Sequence, residues 1–391
     1  MGFRKERIGR KCKLRTVIVT GARGCIGEGC KFALPLRIRR SVTRLPKRSI
    51  PLTKERNEMA IGHHKMEYEV LQGWEQLPEG WSFVEVAGVA VDSRDRVYVF
   101  NRGEHPVIVF DKEGQFLNAW GEDIFTNAHG IYIDENDHLF CADHFDHTVR
   151  KLTTDGELLM TLGESENPAD TGFKIDHSPV CCSAGPFNMV TNTAVGPDGD
   201  LFVSDGYGNA RVHRFSAGGE LKASWGEPGS GPGQFNLPHG IVVDRSGRVF
   251  VADRENSRIQ IFSSEGELLN IWDWVNRPDD LFLDEQENLY IAELGWAFMP
   301  SRPLLHYKLM TMPPIGHDPV ARVTICDLDG NIQARFGGSN PILPGNFISP
   351  HGIWADSRGD IYVGEVVKAS GAIERFAPLT PQSFQKFVRA R

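Results

Sequence analysis

Three histidines, His129, His239 and His351, recur in one setting, each opening a stretch that runs on through Gly-Ile to an aspartate: HGIYID, HGIVVD and HGIWAD. Neutral imidazole binds metals through either ring nitrogen, and three such ligands leave a fourth position open for water or substrate. A lone histidine at such a place is ordinarily a turn residue packed on the next strand. The choice between the two depends on whether the elements that carry these three bring them together.

The carrier is an internal repeat. Its frame is a Gly-apolar start, a strand ending in Asp, a tight turn, a second strand, a corner, and two further strands, as in GVAVDSRDRVYVFNRGEHPVIVFDKEGQFLNAWG. Copies begin at Gly88, Gly130, Thr193, Gly240, Asp280 and Gly352; the fifth is interrupted and resumes as ARVTICDLDGNIQARFG, and the sixth has no obvious fourth strand. Four short alternating strands joined by turn residues match one propeller blade, so the expected fold is all-β, a six-bladed β-propeller over residues 66–378 with a tail at 379–391. The segment MEYEVLQGW, residues 66–74, resembles the fourth-strand segment GQFLNAWG and would complete the last blade. Such closure removes exposed edge strands.

The residues just before the six first strands are Ala87, His129, Thr191, His239, Asp279 and His351. Blades stand about 60° apart around one axis and their first strands line the channel, so histidines on alternate blades converge with roughly three-fold symmetry. That is the arrangement a three-histidine metal site requires. A second ring lies at the corner after each second strand, ten residues beyond the first-strand Asp: Arg102 in blade one and Arg254 in blade four, with Tyr207 one step further along in blade three. The acids preceding these corners, Asp143, Asp205, Asp253 and Glu293, recur and read as turn and capping residues. The arginines and Tyr207 depart from the repeat, which is where function tends to sit, although rim salt bridges would also account for the arginines.

Charge and composition bound the rest. Residues 1–58 carry 17 Lys/Arg against 4 Asp/Glu, a surplus of 13; with a net charge of -8, the remainder carries -21. The basic segment reads as a disordered N-terminal extension, and the acidic propeller disfavours nucleic acid. Within the extension Gly21, Gly24 and Gly27 imitate a dinucleotide-binding turn, but a basic, proline-broken stretch follows in place of a crossover helix. Seven cysteines with no repeating spacing and no CxxC pair argue against disulfide staples. Together with the lack of a long apolar run, this leads to the expectation of a cytoplasmic monomer without membrane contact.

The motifs FNRGEH, VSDGYGNARV, LPHGI, VADRENSRIQIF and SPHGI resemble those of the peptidyl-α-hydroxyglycine α-amidating lyases, six-bladed propellers of the NHL-repeat type. The resemblance spans roughly residues 66–376. It implies that His129, His239 and His351 bind zinc, that Tyr207 is the catalytic phenol, and that Arg102 and Arg254 line the same pocket. It further implies a structural calcium held by the carbonyls of Val89 and Ile131 and by a carboxylate after the third histidine, where this chain has Gly352. The implied reaction is cleavage of the C–N bond of a carbinolamide bearing a carboxylate, giving an amide and glyoxylate, with a peptide or small molecule as substrate.

In that chemistry a hydroxyl proton must be removed and an oxyanion stabilised; one arginine would favour the Tyr207 phenolate while the other grips the substrate carboxylate. The segments 164–190 and 295–319 are expected to emerge on the histidine face and shape the pocket. Two other readings compete. A lactonase-type propeller holds its metal with carboxylate and amide oxygens, against which the axial histidines speak, and an NHL-type interaction module would carry no metal.

Overall fold

The computed structural model describes residues 66–174, 180–295 and 320–390. The expectations for residues 1–58, for Gly21, Gly24 and Gly27, and for most of the 295–319 insertion lie outside the described residues. Six four-stranded antiparallel sheets make up the described chain. Their first strands, Val86–Val91, Ala128–Ile133, Val190–Val195, Pro238–Val243, Pro278–Leu283 and Pro350–Ala355, contact one another in sequence and the sixth returns to the first. The chain is therefore a closed six-bladed β-propeller. No helix among the described residues is long and apolar enough to cross a membrane.

Burial falls from the axis outward. First and second strands such as Val86–Val91 and Val97–Asn101 are wholly buried, whereas the fourth strand Phe116–Trp120 is exposed at its middle. Both faces of each inner strand are covered by neighbouring blades, which is why segments such as VAGVAV and VFVAD are near-continuous apolar runs. The six larger apolar clusters each join two adjacent blades; Leu139, Cys141 and Leu152 of blade two, for example, pack with Tyr98, Phe100 and Val107 of blade one.

Ring closure follows the expectation for residues 66–74. Tyr68–Leu71 is the outermost strand of the last blade, paired antiparallel to Phe384–Arg389. Trp74 then meets the Gly114 turn of blade one as Trp120 meets Gly156 and Trp225 meets Gly266 between successive blades. The join is thus made with a contact that three other blade interfaces also use, the third being Trp272 against Gly330. The boundary expected at residue 378 is corrected: Phe384–Arg389 is the third strand of blade six, its first four residues buried. A short helix, Ala372–Phe376, separates it from the second strand and obscures the repeat spacing.

Each first strand has a register shift where it meets its second strand, between Val86 and Gly88, Ala128 and Ile131, Val190 and Asn192, Pro238 and Ile241, Pro278 and Asp280, and Pro350 and Gly352. These bulges bracket Ala87, His129, Thr191, His239, Asp279 and His351. A bulge re-aims a side chain and frees it from the pleat's alternation.

Candidate metal centre and its catalytic face

The three histidines meet. Their ring centroids stand 4.8 Å apart in all three pairings, and one ligand nitrogen from each lies within 4.8 Å of the others. Each ring is oriented in the same way by the next blade. The Nδ1–H groups of His129, His239 and His351 donate to the carbonyls of Thr191, Asp279 and Ala87 at 2.8, 2.8 and 2.6 Å. A carbonyl only accepts, so these bonds put the ring proton on Nδ1 and leave the Nε2 lone pair directed inward, the tautomer a metal ligand needs. Burial, reinforced by neighbouring positive charge, holds all three well below the usual histidine range and hence neutral. The donor set therefore fits a metal ion.

Tyr207 lies over this triangle. Its hydroxyl is 3.3 Å from His129 Nε2 and 3.2 Å from His239 Nε2, and it receives a hydrogen bond from Arg254 Nη1 at 3.1 Å. Tyr207 follows rather than occupies the corner because Gly206 sits against the neighbouring blade, where a Cβ would lie 1.9 Å from the Pro238 carbonyl oxygen. That approach brings the tyrosine beside His239. The described parts of the 164–190 segment pack on the same corner: the Gly208 amide donates to the Asn188 carbonyl at 3.0 Å and Thr171 Oγ1 donates to the Gly208 carbonyl at 2.5 Å.

The two arginines differ in their surroundings. Arg254 is 2% exposed and donates through Nη1 to Asp279 Oδ1 at 2.9 Å and through Nε to Glu255 Oε1 at 3.0 Å. Glu255 is also bound by Arg277 at 2.8 Å; although its burial opposes the charge, Arg277 and Arg254 hold its carboxyl below the ordinary range. Arg102 donates through Nε to the Ala128 carbonyl at 2.8 Å, beside His129, and reaches Glu85 with one long contact of 3.4 Å. Its side chain keeps 15% of its surface exposed, so an anion from solution can reach it more readily than Arg254.

Two further residues belong to the site. The ten-residue spacing that leads from Asp92 to Arg102 and from Asp244 to Arg254 also leads from Asp134 to His144. Its buried ring stacks on His129 at 5.1 Å and meets Tyr207 edge-on at 4.5 Å. Asp279, which fills the histidine position in blade five, lies 3.5 Å from His351 Nε2 and from His239 Nδ1. Burial pushes its carboxyl up to about 6 against the pull of Arg254.

The recurrent corner acids are structural, as expected. Asp143, Asp253 and Glu293 accept the backbone amides of Thr126, Asn236 and Asn276 at 2.7, 2.7 and 2.5 Å, tying each second strand to the loop that enters its blade. The residues proposed for calcium do not complete a site. Gly352 brings no carboxylate, and a Cβ there would lie 2.6 Å from the Gly88 Cα. The adjacent Asp280 carboxylate is held by the Asn192 amide and the backbone amides of Leu281 and Ile353 at 2.7, 2.9 and 3.1 Å. Val89 and Ile131 remain ordinary members of the strand pairs with Val99 and Cys141.

Comparison with known proteins agrees with this architecture. Residues 235–262 match the NHL repeat model. NHL repeat-containing protein 3 of Homo sapiens is 28% identical over 332 residues, covering 81% of this chain and 85% of that protein. The probable peptidyl-alpha-hydroxyglycine alpha-amidating lyase pgal-1 of Caenorhabditis elegans is 32% identical over 168 residues, 41% of this chain and 45% of that one. Among solved structures a streptogramin B lyase superposes with a TM-score of 0.51 at 10% identity, covering 83% of this chain and 98% of its own, a likeness of fold. The chain is a six-bladed β-propeller with an NHL-repeat match at residues 235–262, similar to NHL repeat-containing protein 3 along most of its length and to the amidating lyases over a shorter stretch.

Proposed function

We propose that the protein is a zinc-dependent lyase that cleaves the C–N bond of an α-hydroxyglycine-type carbinolamide, releasing an amide and glyoxylate. The observation that carries this reading is the Tyr207 hydroxyl within hydrogen-bond reach of two inward-facing imidazoles and of Arg254. Similarity to lyases over part of the chain supports it. His129, His239 and His351 would hold the ion, which supplies Lewis-acid stabilisation of negative charge on oxygen when bound.

The chain's own residues account for the remaining needs. An unperturbed phenol, at about pH 10, is a poor base at neutrality, and the Arg254 guanidinium stabilises negative charge on the Tyr207 oxygen. Once deprotonated, Tyr207 would take the substrate hydroxyl proton as the phenolate; the C–O bond becomes the aldehyde carbonyl of glyoxylate as the C–N bond breaks. The leaving nitrogen takes up one proton and departs as the amide, and Tyr207 regains its starting state. Arg102, lightly engaged by Glu85, binds the substrate carboxylate. The test is glyoxylate release from α-hydroxyhippurate by zinc-loaded protein. Turnover that disappears on chelation and returns with zinc supports the reading; no glyoxylate from any α-hydroxyglycine derivative removes it.

A further inference from the structure

We infer that Asp279 is a fourth protein ligand of the metal centre, so that the ion is held by three imidazoles and one carboxylate. This rests on the metal half of the proposed function; a substrate oxygen would then join as a fifth ligand, an expansion that zinc allows.

The placement is that of a ligand. Asp279 occupies the histidine position of blade five, between His239 of blade four and His351 of blade six, on the same kind of bulge. Both its backbone and one carboxylate oxygen are fixed: the carbonyl accepts His239 Nδ1 and Oδ1 accepts Arg254. The other oxygen, Oδ2, is buried with no hydrogen-bond partner, and so is His351 Nε2. These two atoms face each other at 3.5 Å.

They share no hydrogen bond: 3.5 Å is beyond the reach of a good O–H or N–H donor from either side. The His351 ring proton is on Nδ1 and is given to Ala87. Two buried acceptor atoms thus confront each other, and a buried polar atom left unsatisfied is costly. Moving the proton to Nε2 would not mend the contact, since a charge-assisted N–H···O bond closes to about 2.7–2.9 Å. A cation between them satisfies both. Zinc with bonds of about 2.0–2.2 Å sets neighbouring tetrahedral ligand atoms roughly 3.3–3.5 Å apart, which matches the observed spacing.

Tyr207 Oη lies at similar distances from two Nε2 atoms, but it carries its own hydrogen and receives one from Arg254. Its position is explained without an ion, and that of Asp279 Oδ2 is not. Arg254 then plays for Asp279 the part that backbone carbonyls play for the histidines, orienting a ligand through its far side.

The test titrates metal-free full-length protein and an Asp279→Asn variant with zinc, with stoichiometry and affinity as readouts, and records infrared difference spectra on metal addition. The wild type is expected to take up one ion with a shift in a carboxylate stretching band. Asp279→Asn, which keeps the acceptor for Arg254, is expected to bind roughly 10- to 100-fold more weakly and to lack that shift, the scale seen when a metal site's supporting contacts are removed. Equal affinity in the two proteins overturns the assignment, and so does a wild-type spectrum with no carboxylate change, which needs no variant to fold. Failure of the wild type to bind any ion removes the metal reading itself, and the Asp279 assignment with it.

Discussion

Arg254 ties Asp279 to Tyr207: a single nitrogen, Nη1, donates to Asp279 Oδ1 at 2.9 Å and to Tyr207 Oη at 3.1 Å. The guanidinium also lies over the tyrosine ring, 5.2 Å from its centroid. Charge on the inner ring and charge on the phenol are therefore balanced by one buried cation. With Glu255 and Arg277 the four groups form a chain of alternating sign, +Arg277, −Glu255, +Arg254, −Asp279. Removing a member leaves a neighbour buried and uncompensated.

Tyr207→Phe separates the phenol from the metal centre. The hydroxyl is lost while every Nδ1–carbonyl bond that orients the histidines stays in place. Metal content is expected to be unchanged, and glyoxylate release is expected to fall by on the order of 100-fold or more, the usual scale for loss of an acid–base group. Steady-state kinetics with metal analysis on the same samples check this; a variant of undiminished turnover shows that the phenol is not the base.

The two arginines should fail in different ways. Arg254→Lys keeps a charge near Glu255 and Asp279 but cannot reproduce the fork that reaches Tyr207, so kcat should fall at least about 10-fold while KM changes little. Arg102→Met should mainly raise KM for a carboxylate-bearing substrate and leave KM for an analogue without the carboxylate unchanged. The reverse pattern would exchange the two roles.

How far the sequence discloses this site follows from what each residue reports. The histidine ring is legible because its three members share a repeat position and a flanking Gly-Ile. Arg102 and Arg254 are legible because they stand where other copies do not have arginine. His144 obeys the same spacing and Asp279 the same ring position, but their types are common at turns, and only the folded structure shows one stacked on His129 and the other facing His351. The third strand of blade six is masked by the helical detour at Ala372–Phe376, which breaks the interval that the other blades keep. The bulges that turn six side chains into the channel leave no mark in the apolar pattern.

Stability should decline as pH rises from 5 to 8 through Glu365. This carboxyl is buried, accepts the amides of Ile348 and Ser349 at 2.8 and 3.0 Å, and is pushed by burial up to about 7. Its folded-state value lies above its unfolded one, so the folded state holds the proton more tightly. The contribution is complete below about pH 4 and is lost as pH passes through 7, a change on the order of 3 kcal/mol. Thermal melts of Glu365→Gln should show a smaller loss over the same interval than the wild type; parallel pH profiles would exclude Glu365 as the source.

The closing strand allows a test of the ring itself. A chain beginning at Met59 keeps Tyr68–Leu71 and Trp74, whereas one beginning at Glu75 loses both. Trp74 is 4% exposed and packs against Phe110 of blade one and Tyr362 and Phe384 of blade six, with ring centroids 5.6, 5.2 and 5.9 Å away. Its indole also donates to the Lys112 carbonyl across the join at 3.2 Å. Loss of a buried tryptophan alone costs about 3–5 kcal/mol. Removal of Tyr68–Leu71 adds an unpaired edge along Phe384–Arg389, open to association with other chains. The chain from Met59 should melt cooperatively at the temperature of the full protein. The chain from Glu75 should melt many degrees lower and aggregate, and Trp74→Ala in the full chain should reproduce part of the loss without the free edge. Equal melting temperatures for the two truncations would show that the ring holds without this strand.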